Sequence, residues 1–481
     1  MDDFHQFPVT EPQYTGRILM VGRPDDSSAA TREMKRAAGL TIASSLDFKD
    51  QDTGAEAPAG ADGVFLNEIG VTILSEAADP AAVSRLASLN LFAEGLAGEI
   101  EGPIAEPEQY VYALADDGRS YLRGFRDATN AMVEGMLAGD LDPDEAAQAL
   151  PGAPILRPTL PIGTPPATWG LKACHVVRPA IGLVSQPYSG RGIRVAVLDT
   201  GMDLGHRDFA GRTIRAASFV PGEAVNDLHS HGTHCIGTAC GPRAPVDPAV
   251  VRYGIAHEAE IWAGKVLSNA GSGQDGWILA GINWAVANGC QVVSMSLGAP
   301  VAIGSTGYPA AYEAAARAAL ARGTLIVAAA GNDSSGGLRP VSRPANCPSI
   351  MAVGAVGETL ARAGFSNVGM YAPHGSVDIA GPGVGVLSSV PGGGHGTKSG
   401  TSMATPHVAG IAALYAQSSA RLRGAALWQA LTAHAQSLPS QPATHVGAGL
   451  VQAPRVLRRL PIAPLLPIRL REAGAPAAQD A

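Results

Sequence analysis

The sequence predicts an α/β protein in two parts: a large domain built on a doubly wound parallel sheet flanked by helices, and a smaller N-terminal α+β domain. Three observations carry this. Beyond residue 190, short continuous apolar runs rich in β-branched residues alternate with helical stretches, the pattern of parallel strands buried on both faces by crossover helices. Ahead of residue 118 the order of elements reads βαββαβ, which describes a ferredoxin-like sandwich. Between the two, residues 151–166 contain six prolines, which exclude a helix and read as an extended linker.

The elements follow in order. Residues 1–13 form a tail. GRILMVGR (16–23) reads as a strand, SSAATREMKRAAGL (27–40) as a helix with a serine start, TIASSLDF (41–48) as a strand and GVFLNEIGVTILS (63–75) as one further strand. DPAAVSRLASLNLF (79–92) has Asp79 at a cap position and Pro80 in the first turn, where a missing N–H costs nothing. EQYVYALA (108–115) closes the small domain, placed at 14–118. A helical and proline-rich linker spans 119–166. The large domain, 167–455, takes strands at IRVAVLDTG (193–201), EIWAGKVL (260–267), QVVSMSLG (291–298), TLIVAAAGN (324–332) and SIMAVGAV (349–356), with helices near 274–289 and 310–322. Residues 456–481, rich in Pro, Ala and Arg, read as a C-terminal tail.

Composition narrows the function classes. Of 481 residues only 16% are charged, which argues against disorder and against a coiled coil. The net charge is 34 − 42 = −8, and no Lys/Arg run is present, so no nucleic-acid partner is expected. No run of 18 apolar residues predicts a membrane span. The charge is uneven: residues 1–150 carry 10 − 27 = −17 and residues 151–481 carry 24 − 15 = +9, a split that favours attraction between the two parts, with compositional drift as the bland alternative. The N-terminus lacks the positive and apolar regions of an ordinary secretion signal. Five scattered cysteines make no disulfide framework. Together these point to a cytoplasmic home, with export by an unusual route left open.

In a doubly wound sheet, ligands gather beyond the carboxyl ends of the strands. Asp199 ends the run IRVAVLD, Asn332 follows TLIVAAAG, Ser402 begins a helical pattern at SMATPHVAGIAALYAQ, and His231 lies in HSHGTHCIGTACG at a helix start. Each has a bland reading on its own: a strand-ending turn, a turn asparagine, an N-cap and a buried structural histidine. In combination they supply a nucleophile, a base to take its proton, a carboxylate to hold the base and a donor for the oxyanion. The chain order Asp, His, Ser matches one known convergent triad. Two other readings compete: a metal-dependent hydrolase using His229, His231 and His234 with Asp199, and an inactive peptide-binding protein. The metal reading leaves Asn332 and the Ser402 segment unused.

VAVLDTGMDLGHRDF (195–209), HGTHCIGTA (231–239), SMSLGAP (294–300), AAAGN (328–332) and GTSMATPHVAG (400–410) closely resemble the subtilisin-like serine proteases, the subtilases, over roughly residues 167–455. The resemblance implies a subtilisin-like fold and a serine endopeptidase acting on proteins or peptides without a cofactor. It implies Asp199, His231 and Ser402 as the triad and Asn332 as the oxyanion donor. It further implies that Ser296, Leu297 and Gly298 pair with an extended peptide as an added strand, and that with Ala329, Ala330 and Gly331 they wall the primary pocket, with Ser342 near its floor. The loop 334–349 contains no acidic residue, which leans toward apolar side chains. The N-terminal pattern resembles the subtilase pro-domain, which implies a zymogen inhibited by its own N-terminal domain. Cys235, four residues after His231, resembles the thiol-containing members, with a buried core residue as the alternative. Asp208 fits a family calcium ligand, but the loop that supplies its partners is missing, so no metal is assigned.

Overall fold

The computed structural model describes residues 12–22, 32, 34–36, 38–47, 56–76, 78–79, 81–83, 105–114, 166–177, 186–371 and 375–454. Residues 1–11 of the N-terminal tail, the C-terminal tail, nearly all of the linker and parts of the helices expected at 27–40 and 79–92 lie outside them.

The N-terminal strands are β1 (Tyr14–Val21), β2 (Ile42–Ser44), β3 (Gly63–Leu66), β4 (Val71–Leu74) and β5 (Ala105–Ala113). They lie side by side in the order β5-β1-β4-β3-β2, with β1, β3, β4 and β5 antiparallel to their neighbours and the short β2 parallel to β3. Two expectations are corrected here. The stretch 63–75 is a hairpin rather than one strand, because Asn67–Gly70 turns with Gly70 at φ 68° and Gly70 N–H returns to Leu66 O. The 41–48 stretch supplies only three strand residues before a 3-10 turn. Both arms of the hairpin are largely apolar because both of its faces are buried. Leu19, Val21, Val64, Leu66, Val71 and Ile73 point to one side, and Met20, Phe65 and Leu74 to the other, the period-2 alternation of strands.

From residue 194 onward the strands are β6 (Arg194–Asp199), β7 (Ile214–Ser218), β8 (Glu260–Lys265), β9 (Ser272–Gln274), β10 (Val292–Met295), β11 (Leu297–Gly298), β12 (Leu325–Ala329), β13 (Met351–Val356), β14 (Ile379–Pro382), β15 (Val386–Val390) and β16 (Gly394–Lys398). Seven of them form a parallel sheet in the order β14-β13-β12-β10-β6-β8-β7. From β6 the chain goes to the edge strand β7 and returns to place β8 between them, and from β10 it runs outward through β12 and β13 to β14 at the other edge. The strand order therefore reverses between β6 and β10, where the fold opens a crevice.

The helices are α1 (Trp169–Ala173), α2 (His231–Cys240), α3 (Asp275–Ala287), α4 (Ala310–Ala321), α5 (Thr401–Ser418) and α6 (Gly424–Ala433). One core lies on the α2 and α5 side of the sheet and another on the α3 and α4 side. The second core also takes in the apolar face of the N-terminal sheet. Residues 401–416 of α5 are all buried, which explains a helix rich in Ala with Gly410 at its tightest contact: Gly410 passes Ala239 O where a Cβ would lie 2.8 Å away. Among the described residues, no helix is long and apolar enough to cross a membrane.

Candidate active site

Asp199 is the last residue of β6 and His231 the first of α2. His231 Nδ1 lies 2.7 Å from Asp199 Oδ1, which also accepts from Thr200 N–H at 2.7 Å. An ionised carboxylate only accepts, so Nδ1 carries the proton and Nε2 is left as the acceptor of the neutral ring. Burial pushes the Asp199 carboxyl up, but His231 and these hydrogen bonds outweigh it and hold the group below the ordinary carboxylate range.

A second carboxylate sets this pair. Ser230, just before the helix, sits at φ 78° and makes no side-chain cap. Asp227, 2% exposed, caps instead: its Oδ1 accepts from Thr200 Oγ1, His229 N–H and Ser230 N–H at 2.9, 3.0 and 2.8 Å, and its Oδ2 from Thr233 N–H at 2.8 Å. Thr200 Oγ1 also accepts from Gly232 N–H at 2.9 Å. Thr200 thus ties the end of β6 to the start of α2.

Ser402 is the second residue of α5. Pro406 lies beyond the first turn of the helix that starts at Thr401, where a missing N–H leaves a carbonyl without its helical partner. Pro406 is the sixth residue, and the N–H it lacks would have bonded to Ser402 O. That freed carbonyl accepts from Ser296 Oγ at 2.9 Å and from Cys235 Sγ at 3.5 Å, so the proline releases the group that anchors Ser402 to its neighbours. Burial pushes the Cys235 thiol well up, and it is protonated at neutral pH, as the core reading expects.

Asn332 follows β12. Its Oδ1 accepts from Thr401 N–H at 2.9 Å and Thr401 Oγ1 at 2.8 Å. This assigns the amide orientation and turns Nδ2 outward as a donor. Nδ2 donates to Leu114 O at 2.7 Å, and Ser402 Oγ donates to the same oxygen.

Leu114 ends a segment that occupies the crevice. The last residues of β5 form the middle strand of three: Tyr110, Val111 and Tyr112 pair antiparallel with β9, while Tyr112 and Ala113 pair with Gly298 and Leu297 of β11. Leu114 N–H donates to Ser296 O at 3.2 Å. A Cβ on Gly298 would lie 3.0 Å from Leu114 Cδ1 and 3.4 Å from Ser342 Cβ, so the absence of a side chain there leaves room for leucine. Ser342 N–H bonds to Ala330 O at 2.8 Å, and a Cβ on Gly331, at φ 110°, would collide with Ser342 Oγ. Of the expected strand-pairing residues, Ser296 and Gly298 meet Leu114 and Leu297 pairs with Ala113, while Ala330 and Gly331 lie against Ser342.

Residues 190–449 match peptidase S8, the subtilase family. The chain is a subtilase. It is 45% identical over 238 residues to Subtilisin NAT of Bacillus subtilis subsp. natto, covering 49% of this chain and 58% of that protein. It is 40% identical over 291 residues to Subtilisin Savinase of Lederbergia lenta, covering 60% and 98%. Sphericase, a solved structure, aligns with a TM-score of 0.52 at 30% identity, over 60% of this chain and 99% of that one. The chain spans under two thirds of the first of these relatives.

In this subtilase one expected contact is not made. Ser402 Oγ bonds to Leu114 O and, at 3.0 Å, to Ser296 O, while His231 Nε2 is buried without a hydrogen-bond partner among the described residues. The three histidines of the metal reading do not converge. His234 Nε2 meets Val386 O at 2.9 Å, and burial pushes its pKa down to about 3. Among the described residues, the group of three side chains with ligating atoms within 4.8 Å of one another is Asp199, His231 and Cys235. Asp208 does not fit a calcium ion: its oxygens accept from Tyr253 OH at 2.6 Å, His395 Nε2 at 2.7 Å and Val246 N–H at 2.8 Å.

The sequence reading missed several residues. Thr401, Thr200 and Asp227 orient the expected ones. Asp227 had a local signal, an aspartate four residues before the helix; Thr200 and Thr401 had none beyond adjacency. Asp333, one residue ahead of the loop searched for acids, brings Oδ2 to 2.9 Å from Asn367 Nδ2 and 3.5 Å from Ser342 Oγ.

Proposed function

We propose that this chain is a serine endopeptidase of proteins and peptides, made as a zymogen, with Asp199, His231 and Ser402 as its triad, Asn332 as oxyanion donor, and Leu114–Ala115 as the first bond it cuts. The observation that carries the reading is the Leu114 carbonyl oxygen, held by Asn332 Nδ2 and Ser402 Oγ at the end of an extended segment paired on both sides. A peptide about to be cleaved has this geometry.

The steps follow from the donors and acceptors. Ser402 Oγ–H now donates to carbonyl oxygens, the wrong polarity for attack. Rotation toward the orphan His231 Nε2 hands the proton to the ring as the oxygen adds to the Leu114 carbonyl carbon. Asp199, held ionised, stabilises the imidazolium. Asn332 Nδ2 meets the developing oxyanion without reorganising, because Thr401 already holds its Oδ1. The imidazolium then protonates the Ala115 amine, the C–N bond breaks, and water with His231 as base hydrolyses the acyl ester to free Ser402.

After the cut, the N-terminal domain acts as inhibitor. Glu106 accepts from Ala310 N–H and Ala311 N–H at the start of α4 at 2.9 and 2.8 Å, and Glu108 accepts from Gly276 N–H at the start of α3 at 2.7 Å, where the helix dipoles favour carboxylates. Arg322 pairs with Glu68 at 3.1 Å. These contacts give the −17/+9 charge split a local form.

Mass spectrometry of the purified chain tests the reading. Wild type should release a catalytic fragment beginning at Ala115 and take up a serine-directed phosphonate at Ser402. Ser402→Ala should do neither while keeping its fold. Processing that continues in Ser402→Ala at the parent rate removes the serine as nucleophile.

A further inference from the structure

The segment in the crevice is gripped again five residues before Leu114, by a pair of side chains the proposed reaction does not use. Asp275, the first residue of α3, and Arg343 form a buried ion pair with Nη2 2.8 Å from Oδ2. Tyr312 OH donates to Asp275 Oδ1 at 3.0 Å, and the Arg343 guanidinium lies over the Tyr312 ring at 5.8 Å. Each charged group is thereby fixed by two partners inside the fold. Both turn their remaining capacity onto Gln109: its backbone N–H donates to Asp275 Oδ2 at 2.9 Å, and its side-chain Oε1 accepts from Arg343 Nη1 at 3.0 Å.

We propose that Asp275 and Arg343 form a sixth substrate subsite, which selects an extended peptide carrying a neutral side-chain oxygen acceptor, glutamine or asparagine, five residues before the residue whose carbonyl is cleaved. The inference rests on residues 105–114 standing in for substrate. The two contacts divide the work. Asp275 takes a backbone N–H that every residue except proline offers, so it sets register. Arg343 takes a side-chain oxygen, so it sets residue class. Its charge is already balanced by Asp275, and an amide meets its free N–H without bringing another charge into the cluster. A cationic residue would face the guanidinium directly, and a short apolar one would leave a buried donor unpaired.

Full-length protein, left to complete its own processing, is given N-acetyl hexapeptide p-nitroanilides X-Tyr-Val-Tyr-Ala-Leu with X as Gln, Ala or Lys. The expected kcat/KM for Gln exceeds that for Ala by roughly tenfold, with Lys lower still. In Arg343→Gln the Gln-to-Ala ratio should fall toward one. Wild-type values for Gln and Ala within about twofold of each other overturn the subsite and leave the protease reading standing. An undiminished ratio in a folded Arg343→Gln overturns it as well. No hydrolysis of any peptide by chain that mass spectrometry shows to be free of residues 1–114 removes the protease reading and the subsite together. The wild-type comparison decides the matter even where the variant does not fold.

Discussion

Removing the Asp227 carboxylate should loosen the helix that carries His231 and weaken the whole chain. Asp227→Ala leaves four donors without their acceptor: Thr200 Oγ1 and the backbone N–H groups of His229, Ser230 and Thr233. A buried donor left unpaired costs roughly 1–3 kcal/mol. The Thr200 hydroxyl can turn elsewhere and water can reach the loop, so the full sum is not realised, and the expected loss is about 3–5 kcal/mol. Asp227→Asn is the informative partner. With its oxygen in the Oδ1 position it keeps three of the four bonds and opposes an NH2 to Thr233 N–H, which costs about 1–2 kcal/mol. Urea titration of both variants in a Ser402→Ala background, where self-digestion is absent, gives the stability order. Peptide hydrolysis in the otherwise wild-type chain gives the second reading: kcat/KM should fall in the same order, because the His231 ring is held through the same cap. An Asp227→Ala chain with parent stability and parent turnover would refute the reasoning. So would an Asn variant as damaged as Ala, which would make the negative charge rather than the bond geometry decisive.

Three further outcomes are expected. Asn332→Ala should lower kcat by roughly 10²–10³ with little change in KM, since Nδ2 acts on the developing oxyanion, and a purely KM effect in stopped peptide assays would contradict it. Asp378 is half-buried, and the loss of solvent around its carboxyl pushes its pKa up from 3.8 to about 7, with the Ala352 N–H pulling the other way. The folded chain therefore binds its proton more tightly than the unfolded chain. This contribution to stability is fully present below about pH 3.8 and is lost as pH rises through about 7. Denaturation midpoints of Asp378→Asn, whose amide oxygen can still accept from Ala352, should accordingly fall less between these values than those of the parent. Asp208 already spends its oxygens on Tyr253, His395 and Val246, so calcium added to chelator-treated protein should shift the thermal midpoints of the parent and of Asp208→Asn equally; a shift confined to the parent would restore a calcium site there.

The periodicity of the sequence carried the large domain well. Val195–Leu198 and Leu325–Ala329 are continuous apolar runs because both faces of their sheet are covered, and covered strands leave that mark whatever lies around them. The same logic failed at 63–75. There, too, both faces are buried, and the apolar runs of β3 and β4 read as one strand across Asn67-Glu68-Ile69-Gly70, a polar break that the Leu66 carbonyl closes as a turn. The effect of Pro406 is hidden for a related reason: it depends on where α5 begins, and helix boundaries are the least visible feature of a pattern.

By itself the sequence determined the fold class, the strand ends that bear Asp199 and Asn332, and the residue types for acyl transfer, because these follow from local periodicity and short motifs. Tertiary structure alone decided which donors meet which acceptors. Thr200 finds Asp227 across 27 residues, Asn332 finds Thr401 across 69, and Asn332 finds Leu114 across 218. A hydrogen bond requires atoms at a set distance and angle, and no periodic pattern encodes the distance between residues so far apart along the chain. Packing of the sheet against α2, α5 and the N-terminal strands sets it.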